Sequence, residues 1–387
     1  MNPWWESEQW YERDSEYKER VRKSPFIHRW FRILNRAIKQ IIAGEGSHDI
    51  LVLAGPRRTG KTSIMKKLIE QNYFFIRNNC IYIELDDYVL RNEVNRMGLK
   101  ELLFSIIEKK KLKEPLIIIV DEASTLDNWD LHIKNIIDSL TSYGKKFLLL
   151  VTGSLGLKLI QGSTNILGRR GNIPSLSNIA NPGIILPYKF SEYAEAVNRI
   201  RLYIKALNIL RREEREKILM ELVKRKVLNS HIRKLQIMYN KFSNQLDSLF
   251  GLYLLTGGYP LIIYETVIKN ELKRLDAKWY AEFASIILQD LKYSKSGLRH
   301  DIAQYVLDYL REINGMSPLL DLDKLERYIR VKANLSKRDL QRFRIEEYIE
   351  YLNETFVTVK ASKISPTTKK NNICLLYTSD AADELDG

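Results

Sequence analysis

Between residue 48 and about residue 190, short apolar runs alternate with stretches whose apolar positions fall three and four apart. The runs are Ile50–Leu53, Cys80–Leu85, Leu116–Val120, Phe147–Val151 and Gly183–Leu186. Each is apolar on both parities, as a strand buried on both faces should be. Thr62–Gln71, Leu99–Lys109 and Leu131–Tyr143 carry helical spacing between them. Strands alternating with amphipathic helices predict crossover units in a parallel α/β sheet.

The flanks read differently. Residues 1–45 predict helix, with Trp4, Trp5, Trp10, Trp30 and Phe31 spaced for packing. Residues 191–295 are helical in pattern and show no clear strand. Within 296–365 three helical stretches, Asp301–Ile313, Leu322–Ala333 and Lys337–Asn353, precede the β-branched run Thr355–Val359. Three helices followed by an extended segment outline a winged helix. The division expected is therefore an N-terminal segment (1–45), an α/β core (46–190), a helical domain (191–295), a winged helix (296–365) and a tail (366–387). From Cys374 to Gly387 the tail reads "CLLYTSDAADELDG", acidic and small in character. It resembles translated sequencing adapter joined to a truncated reading frame; a genuine disordered acidic tail is the alternative.

Composition narrows the classes. The chain has 387 residues, 45% hydrophobic and 28% charged, which suits two or three globular domains. No apolar run approaches the ~18 residues that span a bilayer, and "MNPWWESEQWYERD" lacks the order of a secretory signal. Two cysteines, Cys80 and Cys374, are too few for a disulfide framework or a zinc site. A reducing cytoplasm and no membrane partner are expected. The net charge of +14 favours anionic partners. Thirteen Lys and Arg against four Glu lie between Arg199 and Lys241, either a solvated helical face or a surface for nucleic acid or another partner.

The candidate chemistry begins right after Ile50–Leu53. "AGPRRTGKTS" contains Gly55-x-x-x-x-Gly60-Lys61-Thr62, the phosphate-binding loop pattern. Glycines let the backbone wrap closely and turn its N–H groups inward. The helix that follows offers its N-terminus to anionic oxygens. Gly55, Pro56, Arg57, Arg58, Thr59, Gly60, Lys61, Thr62 and Ser63 form the candidate binding loop. Lys61 is placed to reach the β- and γ-phosphates and Thr62 to ligate Mg²⁺. "LIIIVDEAS" supplies the acids this site needs, at the end of a second apolar run. Asp121 is the candidate metal ligand, and Glu122 the base that orients and deprotonates an attacking water.

Weaker candidates surround these. Thr152 and Ser154 in "LLLVTGS" could contact the γ-phosphate or simply cap the strand. Arg169 or Arg170 in "LGRRGN" could stabilise phosphate charge or form an ordinary solvated pair. Asp86 and Asp87 could reach the metal's water shell or cap the next helix. In "LLTGGYPLII", Gly257-Gly258 breaks a helix and Pro260 starts another. Tyr259 and Pro260 could form only a turn or lie flat against an adenine ring.

In order, "GPRRTGKTS", "IELDD", "VDEAS…W", "VTGS", "GRRG", "LPYKFSEYAE" and "TGGYP" make the chain, over residues 1–370, resemble archaeal and bacterial ATPases of the STAND-like branch of the AAA+ class. The resemblance implies that Gly55, Gly60, Lys61, Thr62, Asp121 and Glu122 bind and hydrolyse ATP with Mg²⁺. It makes "GGYP" the motif that touches adenine. It also implies a five-stranded sheet of order 5-1-4-3-2, a helical lid and a winged helix. A nuclease-like domain often follows in such proteins; here it would begin near "KKNNI", where the tail changes character.

The expected function is a nucleotide-driven switch, with catalytic roles for Lys61, Glu122, Ser154 and Arg169. Oligomerisation stays open. One alternative is a DNA-binding AAA+ ATPase similar to replication initiators. "SKRDLQRFRIEEYIEYL" would offer Lys337, Arg338, Arg342 and Arg344 to phosphates, although Glu346, Glu347, Glu350 and Glu354 oppose deep insertion into a groove. A kinase on the same loop and a non-catalytic nucleotide scaffold are further alternatives.

Overall fold

His48–Ala54 (β1), Cys80–Glu84 (β2), Leu116–Asp121 (β3), Phe147–Gly153 (β4) and Gly183–Ile184 (β5) form one parallel sheet, ordered β2-β3-β4-β1-β5. Read from the β5 edge the order is 5-1-4-3-2. The fifth strand is shorter than the run Gly183–Leu186, and only Leu53 and Ala54 of β1 pair with it. The structure, a computed structural model, describes residues 2–22, 28–154, 156–201, 229–265, 285, 288, 298–313, 320–340, 344–354, 359–362 and 373–376. The basic residues at 202–228, Arg342, the extended run at 355–358 and the tail from 377 onward lie outside these.

All of β3 and β4, and β1 after His48, are buried, because helices cover the sheet on both sides. These are Arg29–Ile42 (α1), Lys61–Gln71 (α2), Tyr73–Ile76 (α3), Tyr88–Met97 (α4), Leu99–Lys110 (α5), Trp129–Ser142 (α6) and Gly156–Thr164 (α7). Ile50, Val52, Ile118, Val120, Leu149 and Val151 share an apolar cluster with residues of α4, α5 and α6. The alternate residues, such as Leu51, Ile119 and Leu150, are equally buried, and α1 and α2 pack together and against β4. Helix α6 shows the cause. Trp129, Ile133, Ile136, Ile137 and Leu140 fall on one face, and all five are buried.

The helical segment expected over residues 1–45 is helical in short pieces of different kinds. Among its described residues α1 is the longest helix. Before it come 3₁₀ turns at Pro3–Trp5 and Trp10–Arg13 and a π-helical stretch at Tyr17–Arg22. The reason is tertiary. β2 is an edge strand, and its free backbone groups need partners. The Asn2 side chain accepts from Tyr82 N–H at 2.8 Å, and the Trp5 indole donates to Cys80 O at 2.9 Å. Farther on, Tyr17 donates to Glu70 at 2.6 Å and Lys66 pairs with Asp14 at 2.6 Å, tying the segment to α2. Following the sheet edge competes with closing helical hydrogen bonds.

Contacts divide the chain into two units: Met1–Arg22, Arg29–Leu186 and Asp276–Gly387 in one, Lys23–His28 and Pro187–Leu275 in the other. In the second unit, Phe190–Arg201 (α8), Asn229–Thr256 (α9) and Pro260–Ile263 (α10) enclose Tyr188, Tyr193, Val197, Leu249, Tyr253 and Ile263. Gly257 and Gly258 have positive φ of 61° and 71°, which ends α9.

The C-terminal residues of the first unit have a separate apolar cluster. It is built mainly from His300–Ile313 (α11), Leu322–Ala333 (α12) and Ile345–Glu354 (α14), with the short helix Lys337–Leu340 (α13) between the last two. The single helix expected over Lys337–Asn353 is therefore two helices, and Arg344, offered to phosphates above, pairs with Glu347 at 3.0 Å. Val359–Ser362 (β6) pairs antiparallel with Ile373–Leu376 (β7), placing Ala361 opposite Cys374. This pairing reaches into the tail that begins at Cys374. Among the described residues no helix is long and apolar enough to cross a membrane.

Candidate functional site

The loop between β1 and α2 is held by close packing. A Cβ on Gly55 would lie 2.0 Å from the Ile185 carbonyl oxygen, so no other residue fits there. Arg58 and Gly60 turn the chain with φ of 65° and 92°, and the Thr59 hydroxyl donates to Pro56 O at 2.9 Å. Gly60 is the N-cap of α2; Lys61, Thr62 and Ser63 form its first turn. The first N–H groups of a helix have no intrahelical partner, and they carry the positive end of its dipole.

Lys61 is buried, and its ammonium group donates to Gly55 O and Pro56 O at 2.9 Å each and to Ser154 Oγ at 3.0 Å. It also lies 3.8 Å from Glu122 Oε1. The Ser154 hydroxyl donates to Glu122 Oε1 at 2.7 Å, and the Ser154 N–H to Oε2 at 3.0 Å. Glu122 adopts a left-handed backbone, φ 54° and ψ 41°. That conformation is uncommon for a residue with a side chain and is typical of functional sites. Burial pushes the Glu122 carboxyl up and neighbouring Asp121 adds to this, while Lys61 pulls it down. The raised carboxyl makes Glu122 a stronger base when ionised.

Asp121 is fully buried at the end of β3. Its Oδ2 accepts from the Thr62 hydroxyl at 2.7 Å and from the Tyr82 hydroxyl at 2.6 Å; its Oδ1 accepts from the Thr152 hydroxyl. Thr152 Oγ1 also accepts from Glu122 N–H at 3.2 Å. The structure thus brings Lys61, Thr62, Asp121, Glu122, Thr152 and Ser154 into one cluster. A hydroxyl and a carboxylate side by side are hard oxygen donors of the kind Mg²⁺ takes. Among the described residues no group of three or more His, Cys, Asp or Glu is placed to hold a metal.

Other candidates fall elsewhere. Arg57 pairs with Asp86 at 3.7 Å, and Asp87 caps α4 by accepting from Val89 N–H and Leu90 N–H. Arg169 is not brought to the cluster. Its guanidinium holds Asp138 on α6 by two bonds of 2.6 and 3.1 Å. Arg170 is a structural staple: it pairs with buried Asp49 at 2.9 Å and donates to the carbonyls of Ile179 and Leu176. Tyr259 and Pro260 belong to the second unit, where Tyr259 is the N-cap and Pro260 the first residue of α10. Tyr82 is the member that sequence reasoning missed. The available signal was a hydroxyl inside a buried strand, which requires a partner.

Residues 47–193, the stretch that holds the parallel sheet and its loop, match the family model of an AAA domain. Two uncharacterised proteins of Methanocaldococcus jannaschii are similar to the chain. MJ1544 is 26% identical over 342 residues, 86% of this chain and 61% of its own length. MJ1637 is 23% identical over 298 residues, 76% and 53%. The chain thus spans less than two thirds of either relative. Among solved structures, the Walker-type ATPase PABY2304 of Pyrococcus abyssi is similar with a TM-score of 0.44 and 13% identity, covering 94% of this chain and 96% of that one. Orc1 of Aeropyrum pernix, solved in complex with DNA, gives 0.39 and 14%, covering 92% and 90%.

Proposed function

With an AAA-type domain at residues 47–193 as the premise, we propose that the chain binds and hydrolyses ATP and works as a nucleotide-driven conformational switch. One observation carries the reading: Lys61, Thr62, Asp121, Glu122 and Ser154 converge where β1, β3 and β4 end. Ligands of open parallel sheets gather at such strand ends.

The backbone from Gly55 to Ser63 wraps the phosphates. Lys61 exchanges its bonds to Gly55 O and Pro56 O for β- and γ-phosphate oxygens. Thr62 and Asp121 would hold Mg²⁺, which would offset phosphate charge when bound. Glu122 accepts a proton from a water whose oxygen attacks the γ-phosphorus, and the bond to the β-phosphate oxygen of the departing ADP breaks. Ser154, bonded to both Lys61 and Glu122, is placed to register whether the γ-phosphate is present. Arg57 and Arg58 add positive potential at the mouth of the loop. Within the same proposal, the resemblance gives Tyr259 and Pro260 the role of adenine-binding residues and residues 296–365 that of a winged helix that responds to the nucleotide. This is the behaviour of the STAND-like ATPases that the motifs resemble.

Glu122→Gln tests the reading. It preserves the size of the side chain and one of the two oxygens that accept from Ser154, and it removes the base. ATP affinity is expected to stay unchanged, while turnover falls at least about a hundredfold, the usual contribution of a general base. Undiminished turnover would remove Glu122 as the base, and a wild type that binds ATP without turnover would be a nucleotide-binding scaffold.

The net charge of +14 favours a second reading, a DNA-binding ATPase. Its test is fluorescence anisotropy with duplex DNA across about 50 to 200 mM salt, where phosphate contacts predict a steep loss of affinity. No binding at the low-salt end removes it.

A further inference from the structure

Asp121 is held by three hydroxyls, and they are not equivalent. Thr62 bonds Oδ2 at 2.7 Å, but in the ATPase proposed above this same hydroxyl turns to the cation. Thr152 bonds Oδ1 and also accepts the Glu122 N–H, so it serves two neighbours at once. Tyr82 bonds Oδ2 at 2.6 Å and reaches it from the adjacent strand. Tyr82 lies opposite Ile119 in the β2–β3 register, two residues before the Glu84–Asp121 pair, so its long side chain spans the distance along the sheet.

The tyrosine is itself pinned from behind. Its N–H is bonded by the Asn2 side chain at 2.8 Å. The edge of Trp4 meets its ring at 6.0 Å and an interplanar angle of 79°. Trp4 in turn packs edge-on against Trp10 at 5.6 Å. These residues, all buried, belong to the N-terminal segment that runs along the open edge of the sheet.

We infer that Tyr82 is a positioning residue for the cation site: its hydroxyl sets the plane of the Asp121 carboxylate so that Oδ2 faces Thr62, and the N-terminal segment holds Tyr82 in place. The inference rests on the ATPase reading and extends it to a residue outside the phosphate loop and the two acids. A carboxylate aimed in advance need not turn when a divalent cation binds, so that only the Thr62 hydroxyl has to swing. Removing such an outer partner typically lowers metal affinity about 10- to 100-fold.

The test is Tyr82→Phe in the full chain, with Mn²⁺ as the probe and ADP as the nucleotide. Electron paramagnetic resonance of free Mn²⁺ reads the metal affinity of the ADP complex directly. The expected result is a loss of about tenfold in Mn²⁺ affinity, with ADP affinity in chelator unchanged. Activity should return at high Mg²⁺, a rise in the Mg²⁺ requirement without loss of maximal turnover. A merely structural defect would lower metal-free ADP affinity as well, and excess Mg²⁺ would not repair it. If Tyr82→Phe does not fold, the same titration on Asn2→Ala, which loosens the strand edge without touching the carboxylate, is expected to move in the same direction. Mn²⁺ affinity equal to wild type in the folded variant overturns the role of Tyr82 and leaves the ATPase reading intact. A wild-type protein whose ADP complex binds no Mn²⁺ overturns both.

Discussion

Lys61→Ala is expected to lower ATP affinity by about a hundredfold or more, since two charge-assisted hydrogen bonds to phosphate, each contributing about 1.5–3 kcal/mol, disappear together. The position of the ammonium group is what makes the loss large. It lies under the loop, buried, in contact with Gly55 O, Pro56 O and Ser154 Oγ, and 3.8 Å from Glu122. A surface lysine would be replaced by neighbours or by salt; this one is enclosed beneath the loop, whereas Arg57 is drawn to Asp86. Titration with a fluorescent ATP analogue measures the change. An affinity close to that of the wild type would show that phosphate is not held at α2, and the whole assignment of the site would fall with it.

Arg170→Ala is expected to have the largest effect on stability, a loss of about 3–5 kcal/mol, as for other buried ion pairs from which one partner is removed. Asp49 is fully buried, and its Oδ1 receives Arg170, the Gly171 N–H and the Ile50 N–H. Without the guanidinium, a carboxylate and the carbonyls of Leu176 and Ile179 remain in the interior with less to bind them. The neighbouring Arg169 is the control. Its pair with Asp138 is solvent-exposed, where screening and side-chain entropy leave little net stabilisation. Arg169→Ala should therefore keep both the fold and the turnover. Urea unfolding followed by tryptophan fluorescence compares the two variants. Equal midpoints would sink the distinction drawn between these adjacent arginines.

The phosphate loop, both acids and the run of strands were legible because each is local. A loop that must turn tightly and expose N–H groups needs Gly at set positions, and a helix start needs a particular spacing; neither depends on distant residues. Glu122 and Ser154 were also named, although their mutual hydrogen bonds could not be. These join residues 32 positions apart. The two arginines show the opposite case. "GRRG" looks the same on paper for a phosphate-facing arginine, a surface pair and a buried staple, and only Asp49 and Asp138, from different elements, separate the second from the third.

The course of the N-terminal segment was not legible for a related reason. Its aromatic spacing fits a helix, yet Asn2 and Trp5 are occupied by the edge of β2, which no reading of residues 1–45 reveals. Tyr82 is the counterpart on the strand, an apolar position by pattern whose hydroxyl finds Asp121 39 residues away. Local patterning thus settled which segments become strands and helices and which loop can cradle an anion, because burial period and backbone geometry act over a few residues. Which hydroxyl meets which carboxylate, and which arginine is structural, was decided only when the strands lay side by side, because hydrogen bonds and ion pairs depend on distances across the sheet that the order of residues does not contain.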